Sequence, residues 1–245
     1  MDDTELYADL NVDDPDQQEA KTLNLDDETI SYLDLKLEDE ISVIDTGGGA
    51  KTDLLFALDK DGNLTGNNDS IPTYAFGYGN LSTRIYYSSG FSSLIKTVKF
   101  DGAKSVGGFA FVKAMSLTNV DLPVCTSVGT AAFYQCYGLS ILNLPACVGV
   151  GSTAFSQCTA LSMLDLPVCT SVGAAAFSQC FILSTLILRS ETMATLSNTS
   201  AFTSTPIASG TGYIYVPDAL VDSYKTATGW KTFATQIKPL SELPA

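Results

Sequence analysis

Apolar residues return at one fixed interval through the middle of the chain. A shift of 22 superposes Val98, Val120, Leu142 and Leu164, and likewise Phe100, Leu122, Leu144, Leu166 and Leu188. It also superposes Val106, Val128, Val150 and Val172, each followed by a glycine, Gly107, Gly129, Gly151 and Gly173. The pairs Ala110-Phe111, Ala132-Phe133, Ala154-Phe155 and Ala176-Phe177 fall into line, as do Leu117, Leu139, Leu161 and Leu183. No gap is needed over four turns, and self-similarity at this period predicts a β-rich solenoid with regular coils over 98–188.

Each coil follows from its pattern. A pair such as Leu142 and Leu144 puts two side chains on one face of a short strand, and Pro145 then stops it because proline cannot donate to the ladder. The Val-Gly step turns the chain, with glycine giving a backbone shape or a close approach that a side chain would block. Ala-Phe sends a ring and a small neighbour inward, and the next leucine returns the chain to the following strand. One coil cannot bury its own apolar face, whereas a stack can.

The unit Leu-x-Leu-Pro followed by Val-Gly-x-x-Ala-Phe-x-x-Cys-x-x-Leu resembles the BspA-type leucine-rich repeat of bacterial surface proteins, over about ninety residues. The resemblance implies a leucine-rich repeat right-handed coil that binds rather than catalyses. A degenerate last coil is predicted over 189–212, where the spacing of the Ala-Phe pairs grows from 22 to 25 at Ala201-Phe202. Residues 213–245 also resemble the closing segment after such repeats. They predict a small strand-helix C-terminal cap, with Pro217 opening the helix and Trp230 and Phe233 plugging the end.

Upstream, residues 46–97 read as a β-rich N-terminal cap region: Leu54 to Leu58 as a strand, a turn through Asp59-Lys60-Asp61-Gly62, and a second strand from Leu64. Residues 1–45 hold short half-apolar pieces among sixteen acids and two bases, which account for the whole net charge of −14. They read either as a disordered acidic tail or as an arm that docks on a larger assembly. The rest of the chain balances eleven acids against eleven bases, so no basic stripe is available for nucleic acid. The opening Met-Asp-Asp-Thr-Glu does not read as a signal peptide, and no apolar run reaches the roughly 20 residues of a membrane span.

Six cysteines stand eleven apart, as two ladders of three: Cys125, Cys147, Cys169 and Cys136, Cys158, Cys180. Three per ladder leaves one unpaired in each, and Ala114 fills the matching place in the first coil. The expected state is free buried thiols, with disulfides as the alternative; zinc is disfavoured because there is no histidine and no Cys-x-x-Cys pair. Other chemical signals are weak. Asp45-Thr46-Gly47 is a single copy of a motif that aspartic proteases need twice. Gly47 to Thr52 lacks the glycine before the lysine of a phosphate loop, and Ala57 and Asn68 stand where a calcium loop needs carboxylates. No catalytic residue, metal or cofactor is expected.

Strand residues between the inward leucines point outward. They form two rows, Thr97, Asn119, Ile141, Met163 and Thr185 beside Lys99, Asp121, Asn143, Asp165 and Ile187, and these are the candidate recognition surface. Tyr134, Tyr137 and Phe181 form a second, weaker candidate, interrupted by Thr159. The expected partner is a protein or glycan on a cell surface, with no nucleic acid and no membrane insertion. The expected setting is a virion surface, reached through residues 1–45, or alternatively a bacterial cell surface.

Overall fold

In a computed structural model the described residues are 22–25, 41–45, 54–58, 61–66, 69–71, 73, 75–76 and 94–244. Short strands succeed one another in chain order: β1 Thr22–Leu25, β2 Ile41–Asp45, β3 Leu54–Leu58, β4 Asn63–Gly66, β5 Ser70–Ile71 and β6 Thr97–Phe100. The regular coils supply β7 Ser105–Val106, β8 Asn119–Asp121, β9 Ser127–Val128, β10 Ile141–Asn143, β11 Gly149–Val150, β12 Met163–Leu166 and β13 Ser171–Val172. Then come β14 Thr185–Leu188, β15 Thr195–Leu196, β16 Tyr213–Val216 and β17 Ile237–Pro239.

Alternate strands build two walls. One wall holds β5, β7, β9, β11, β13 and β15 as an unbroken six-stranded sheet. The other runs through β1, β2, β3, β4, β6, β8 and β10, and resumes as a separate four-stranded sheet of β12, β14, β16 and β17. From β4 onward every pairing is parallel and in coil register, as in Val98 against Val120 and Leu164 against Leu186. The wall is interrupted between β10 and β12, and there Leu142 is half-buried, whereas its counterparts Val120 and Leu164 are fully buried.

A third side is built without strands. The N–H groups of Phe111, Phe133 and Phe155 donate to the carbonyls of Ala132, Ala154 and Ala176 of the next coil. Those of Gln135 and Gln157 reach Ser156 and Ser178 in the same way. This works because two residues per coil are left-handed: Phe109, Ala131, Thr153 and Ala175, and then Lys113, Gln135, Gln157 and Gln179, with φ between 53° and 64°. Such conformations cost an L-residue on the order of 1 kcal/mol or more, here offset by a bonded backbone and a filled interior.

The interior is a column of rings. Phe76, Phe111, Phe133, Phe155 and Phe177 stack with centroids 5.1 to 5.9 Å apart, and Phe202 continues the column at 5.8 Å. Around it lie the fully buried leucines 117, 139, 161 and 183. The Val-Gly step is a close approach: a Cβ on Gly151 would sit 2.7 Å from the carbonyl carbon of Gly129, and one on Gly173 2.5 Å from that of Gly151.

Stacking begins before the 22-residue spacing becomes visible. Leu64 pairs with Val98, Ile71 with Val106, and the Phe76 ring lies 5.2 Å from Phe111, so these residues act as a coil inside the region expected to be a cap. Parts of the acidic arm also enter the wall. Residues 22–25 pair with 41–45, which pair in turn with β3; residues 1–21 and 26–40 lie outside the described set, as do 46–53 with their Gly-rich run.

The C-terminal segment matches its expected elements in outline. A one-turn helix α1, Pro206–Ser209, precedes β16, and Pro217 leads into a 3-10 turn before helix α2, Val221–Thr226, rather than opening the helix itself. Tyr224 and Trp230 close the stack by gripping both polar groups of one peptide residue. The Tyr224 hydroxyl accepts from the Ala194 N–H at 2.7 Å, and the Trp230 indole donates to the Ala194 carbonyl at 2.7 Å.

Candidate recognition surface

The outward residues of the interrupted wall form ladder rows, as the strand period requires. Thr97 stands against Asn119, Asn119 against Ile141, and Met163 against Thr185. Lys99, Asp121 and Asn143 make the second row, continued by Asp165 and Ile187 after the interruption. Both rows extend beyond the predicted set. Thr185 pairs with Tyr213 and Ile187 with Tyr215, whose ring centroids are 6.3 Å apart. Sequence spacing hid these two tyrosines, because the cap strand follows β14 by 28 residues instead of 22.

One member of the set is corrected. Ile187 is 3% exposed and belongs to the interior of the face, not its surface. Its ladder neighbours are Asp165 and Tyr215, and Arg189, two residues on along the same face, reaches back to Asp165 with Nη2 2.8 Å and Nε 2.9 Å from Oδ2. Ile187 thus lies in register between Asp165, which Arg189 holds, and the buried Tyr215.

Polar groups on this face are largely committed to one another. Asn143 donates to Asp121 at 2.6 Å, Thr97 to Asn63 at 2.7 Å, and Asp165 is held by Arg189. Large apolar side chains stand exposed among them: Ile141 is 58% exposed, Met163 56% and Tyr213 41%. Ile141 and Met163 flank the interruption in the wall.

The weaker aromatic candidate lies where the third side turns toward the strands. Gln157 is its centre: its Oε1 accepts from Gln135 Nε2 at 3.0 Å and from the Tyr137 hydroxyl at 3.5 Å, while its Nε2 donates to the Tyr134 hydroxyl at 3.2 Å. Phe181, two coils after Tyr137 in the same row, is exposed.

The thiols are free and buried, so the expectation of unpaired cysteines holds. Cys136, Cys158 and Cys180 each donate to the carbonyl of the phenylalanine 25 residues earlier, at 3.0 to 3.2 Å. Cys125, Cys147 and Cys169 donate to carbonyls two residues on. Burial pushes every one upward, Cys147 and Cys180 to about 12, and at Cys147 the two flanking thiols of its ladder add to the effect. The thiolate needed for nucleophilic or metal chemistry is therefore suppressed at neutral pH. Among the described residues, no group of three or more Cys, Asp or Glu is placed to hold a metal ion, and no helix is long and apolar enough to cross a membrane. Asp45 closes β2, and the rest of its Asp-Thr-Gly lies outside the described residues.

Parallel strands in 22-residue coils, packed over a leucine and phenylalanine interior, define a leucine-rich repeat solenoid. Residues 80–208 match the model of the BspA type leucine rich repeat region in six copies, more than half of the chain, and the protein belongs to that family. No match was found among curated proteins. A leucine-rich repeat protein from Eubacterium ventriosum superposes with a TM-score of 0.55 at 18% identity, covering 73% of this chain and 44% of that one. The chain thus spans less than half the length of that protein, and the likeness is one of fold. Weaker superpositions are found with a T. pallidum leucine rich repeat protein, at TM-score 0.44, 18% identity and coverages of 67% and 68%. A leucine rich cell surface protein from Faecalibacterium prausnitzii gives 0.39, 21%, 80% and 56%.

Proposed function

We propose that this protein is a non-enzymatic recognition module of a bacterial cell surface, an adhesin-type repeat that binds a protein partner across the outward face of β8, β10, β12, β14 and β16. The observation carrying this reading is the exposed row of Ile141, Met163 and Tyr213 on a wall where Asp165 is paired with Arg189 and Asp121 is hydrogen-bonded by Asn143. Apolar side chains fixed on paired strands can be covered with little loss of conformational freedom, which is what makes an anchor effective.

The test is a cell-binding measurement with labelled protein. Ile141→Ser combined with Met163→Ser should weaken binding at least tenfold with an unchanged melting temperature; undiminished binding would assign recognition elsewhere.

A second reading places the chain on a virion surface, attached through residues 1–45. The uneven charge favours it, with sixteen acids against two bases in that stretch. Amide substitution of the acids at positions 2–19 should then abolish co-sedimentation with particles, and retained co-sedimentation would remove this reading.

A further inference from the structure

The break in the outward wall is confined to one step of one side. In the other regular coils the residue leading into each strand bonds to its counterpart 22 residues back. The N–H groups of Thr118, Ser140 and Ser184 donate to the carbonyls of Lys96, Thr118 and Ser162 at 2.8 to 3.1 Å, and their hydroxyls reach the same carbonyls at 3.1 to 3.5 Å. Ser162 ends the series. Among the described residues neither its N–H nor its hydroxyl bonds to Ser140, and β10 and β12 are not paired.

The same two coils are joined on their other two sides. β11 pairs with β13, Gly149 against Ser171 and Val150 against Val172. On the third side the N–H groups of Thr153, Phe155 and Gln157 donate to the carbonyls of Ala174, Ala176 and Ser178 at 2.8 to 2.9 Å. Both ends of the break are closed as well, by the Ala160 N–H on the Tyr137 carbonyl at 3.1 Å and the Thr170 N–H on the Val148 carbonyl at 2.9 Å.

Side chains reinforce the split. Asn143 is tied to Asp121 on the side of the earlier coils, and Asp165 to Arg189 on the side of the later ones, so each polar residue beside the break is held from the side away from it. Leu142 is half-buried at the break, and the Phe155 to Phe177 step behind it, 5.9 Å, is the widest between phenylalanines of the column.

We propose that this seam is a hinge: the block of coils ending at β10 and the block starting at β12 open and close the outward wall about the two bonded sides. Closed, Ser162 and Met163 donate to Ser140 as Ser184 and Thr185 donate to Ser162. Open, these groups are hydrated. Exchanging a backbone hydrogen bond at the surface for bonds to water changes the free energy little, so the two states lie close together. The angle between the two halves of the outward face is thereby adjustable, which a continuous ladder would prevent. The hinge does not depend on that face being a binding surface.

Hydrogen exchange on the full, unmodified chain reads the seam directly. The Ser162 and Met163 amides should exchange at least tenfold faster than those of Ser140, Ile141, Ser184 and Thr185 after correction for intrinsic rates, while the Phe155 and Gly173 amides stay protected. Closure is read from Ile141→Cys combined with Met163→Cys, two exposed positions one coil apart that come within about 5 Å, inside disulfide range, when the strands meet. Because the native thiols are buried, mild oxidation should bridge only the new pair. The bridge should raise the protection of Ser162 and Met163 to that of Ser184 and Thr185, reduction should reverse it, and the reduced variant should melt with the parent chain. A difference under tenfold in the unmodified chain would mean a sealed wall. A pair that does not bridge, or bridges without restoring protection, would mean a fixed gap. Either result overturns the hinge, and neither bears on the cell-binding measurement.

Discussion

Phe155→Ala probes the element on which the whole stack depends. The ring is fully buried and sandwiched, with Phe133 at 5.3 Å on one side and Phe177 at 5.9 Å on the other, planes within 3° of parallel. Truncation forfeits the transfer energy of a buried aromatic side chain and leaves a cavity that neighbouring coils cannot close. Their backbones are pinned by hydrogen bonds, among them Phe133 N–H to the Ala154 carbonyl and Phe155 N–H to the Ala176 carbonyl. Substitutions of this kind cost about 3 to 5 kcal/mol. Against a total stability on the order of 5 to 15 kcal/mol, that is a large fraction. Urea unfolding followed by circular dichroism gives the difference, with Phe181→Ala as the control. The exposed ring at 181 should matter by no more than about 0.5 kcal/mol. A loss at position 155 below about 1.5 kcal/mol, or equal losses at both positions, would refute the assignment of the ring column as the core.

Other substitutions follow from the same geometry. Tyr224→Phe leaves the Ala194 N–H buried without an acceptor and should cost about 1 to 3 kcal/mol by thermal or chemical denaturation. Gly151→Ala forces a methyl against the neighbouring coil's backbone and should destabilise by about 3 kcal/mol, whereas Thr153→Gly, relieving φ +54°, should stabilise by about 0.5 kcal/mol. The thiols supply a pH dependence. Their folded pKa values lie above the unfolded value of about 8.5, so their contribution is complete below that pH and is lost as pH rises toward 12, at up to about 1.4 kcal/mol per thiol per pH unit. Alkaline titration should therefore show a steep fall in denaturant midpoint above about pH 9, much reduced when the six cysteines are replaced by alanine, the remainder coming from Tyr224, whose phenol burial also pushes upward. A thiol reagent at pH 8 should find no reactive group in the native protein and all six in urea.

Much of this fold could be read from the sequence because each coil repeats the same solution without gaps. The inward sets at 98, 100, 106, 111 and 117, and their counterparts 22 residues on, are buried as the pattern requires, and the thiols are free as the odd count per ladder suggested. What spacing could not show is where the register is kept while the length changes. Leu64 and Phe76 occupy coil positions, but the segment that separates them from Val98 and Phe111 is longer than in the regular coils. Tyr213 and Tyr215 extend the outward rows for the same reason. The left-handed glutamines gave no sequence signal, since glycine or asparagine normally marks such positions. Ile187 was misplaced because alternation assigns a face but not its covering: that rung lies between Asp165, which Arg189 holds, and a buried cap tyrosine.

The near identity of the regular coils has a consequence for how the chain finds its register. Slipping one coil past its neighbour by a whole 22-residue unit would keep phenylalanine over phenylalanine and glycine against glycine, so the interior alone offers little discrimination between the native alignment and a slipped one. Only the unlike ends break the degeneracy. Ala114 stands where later coils carry a thiol, and the Tyr224 and Trp230 clamp fits one peptide, at Ala194. The terminal units thus serve as fiducial marks: they tell a self-similar polymer where counting starts and stops.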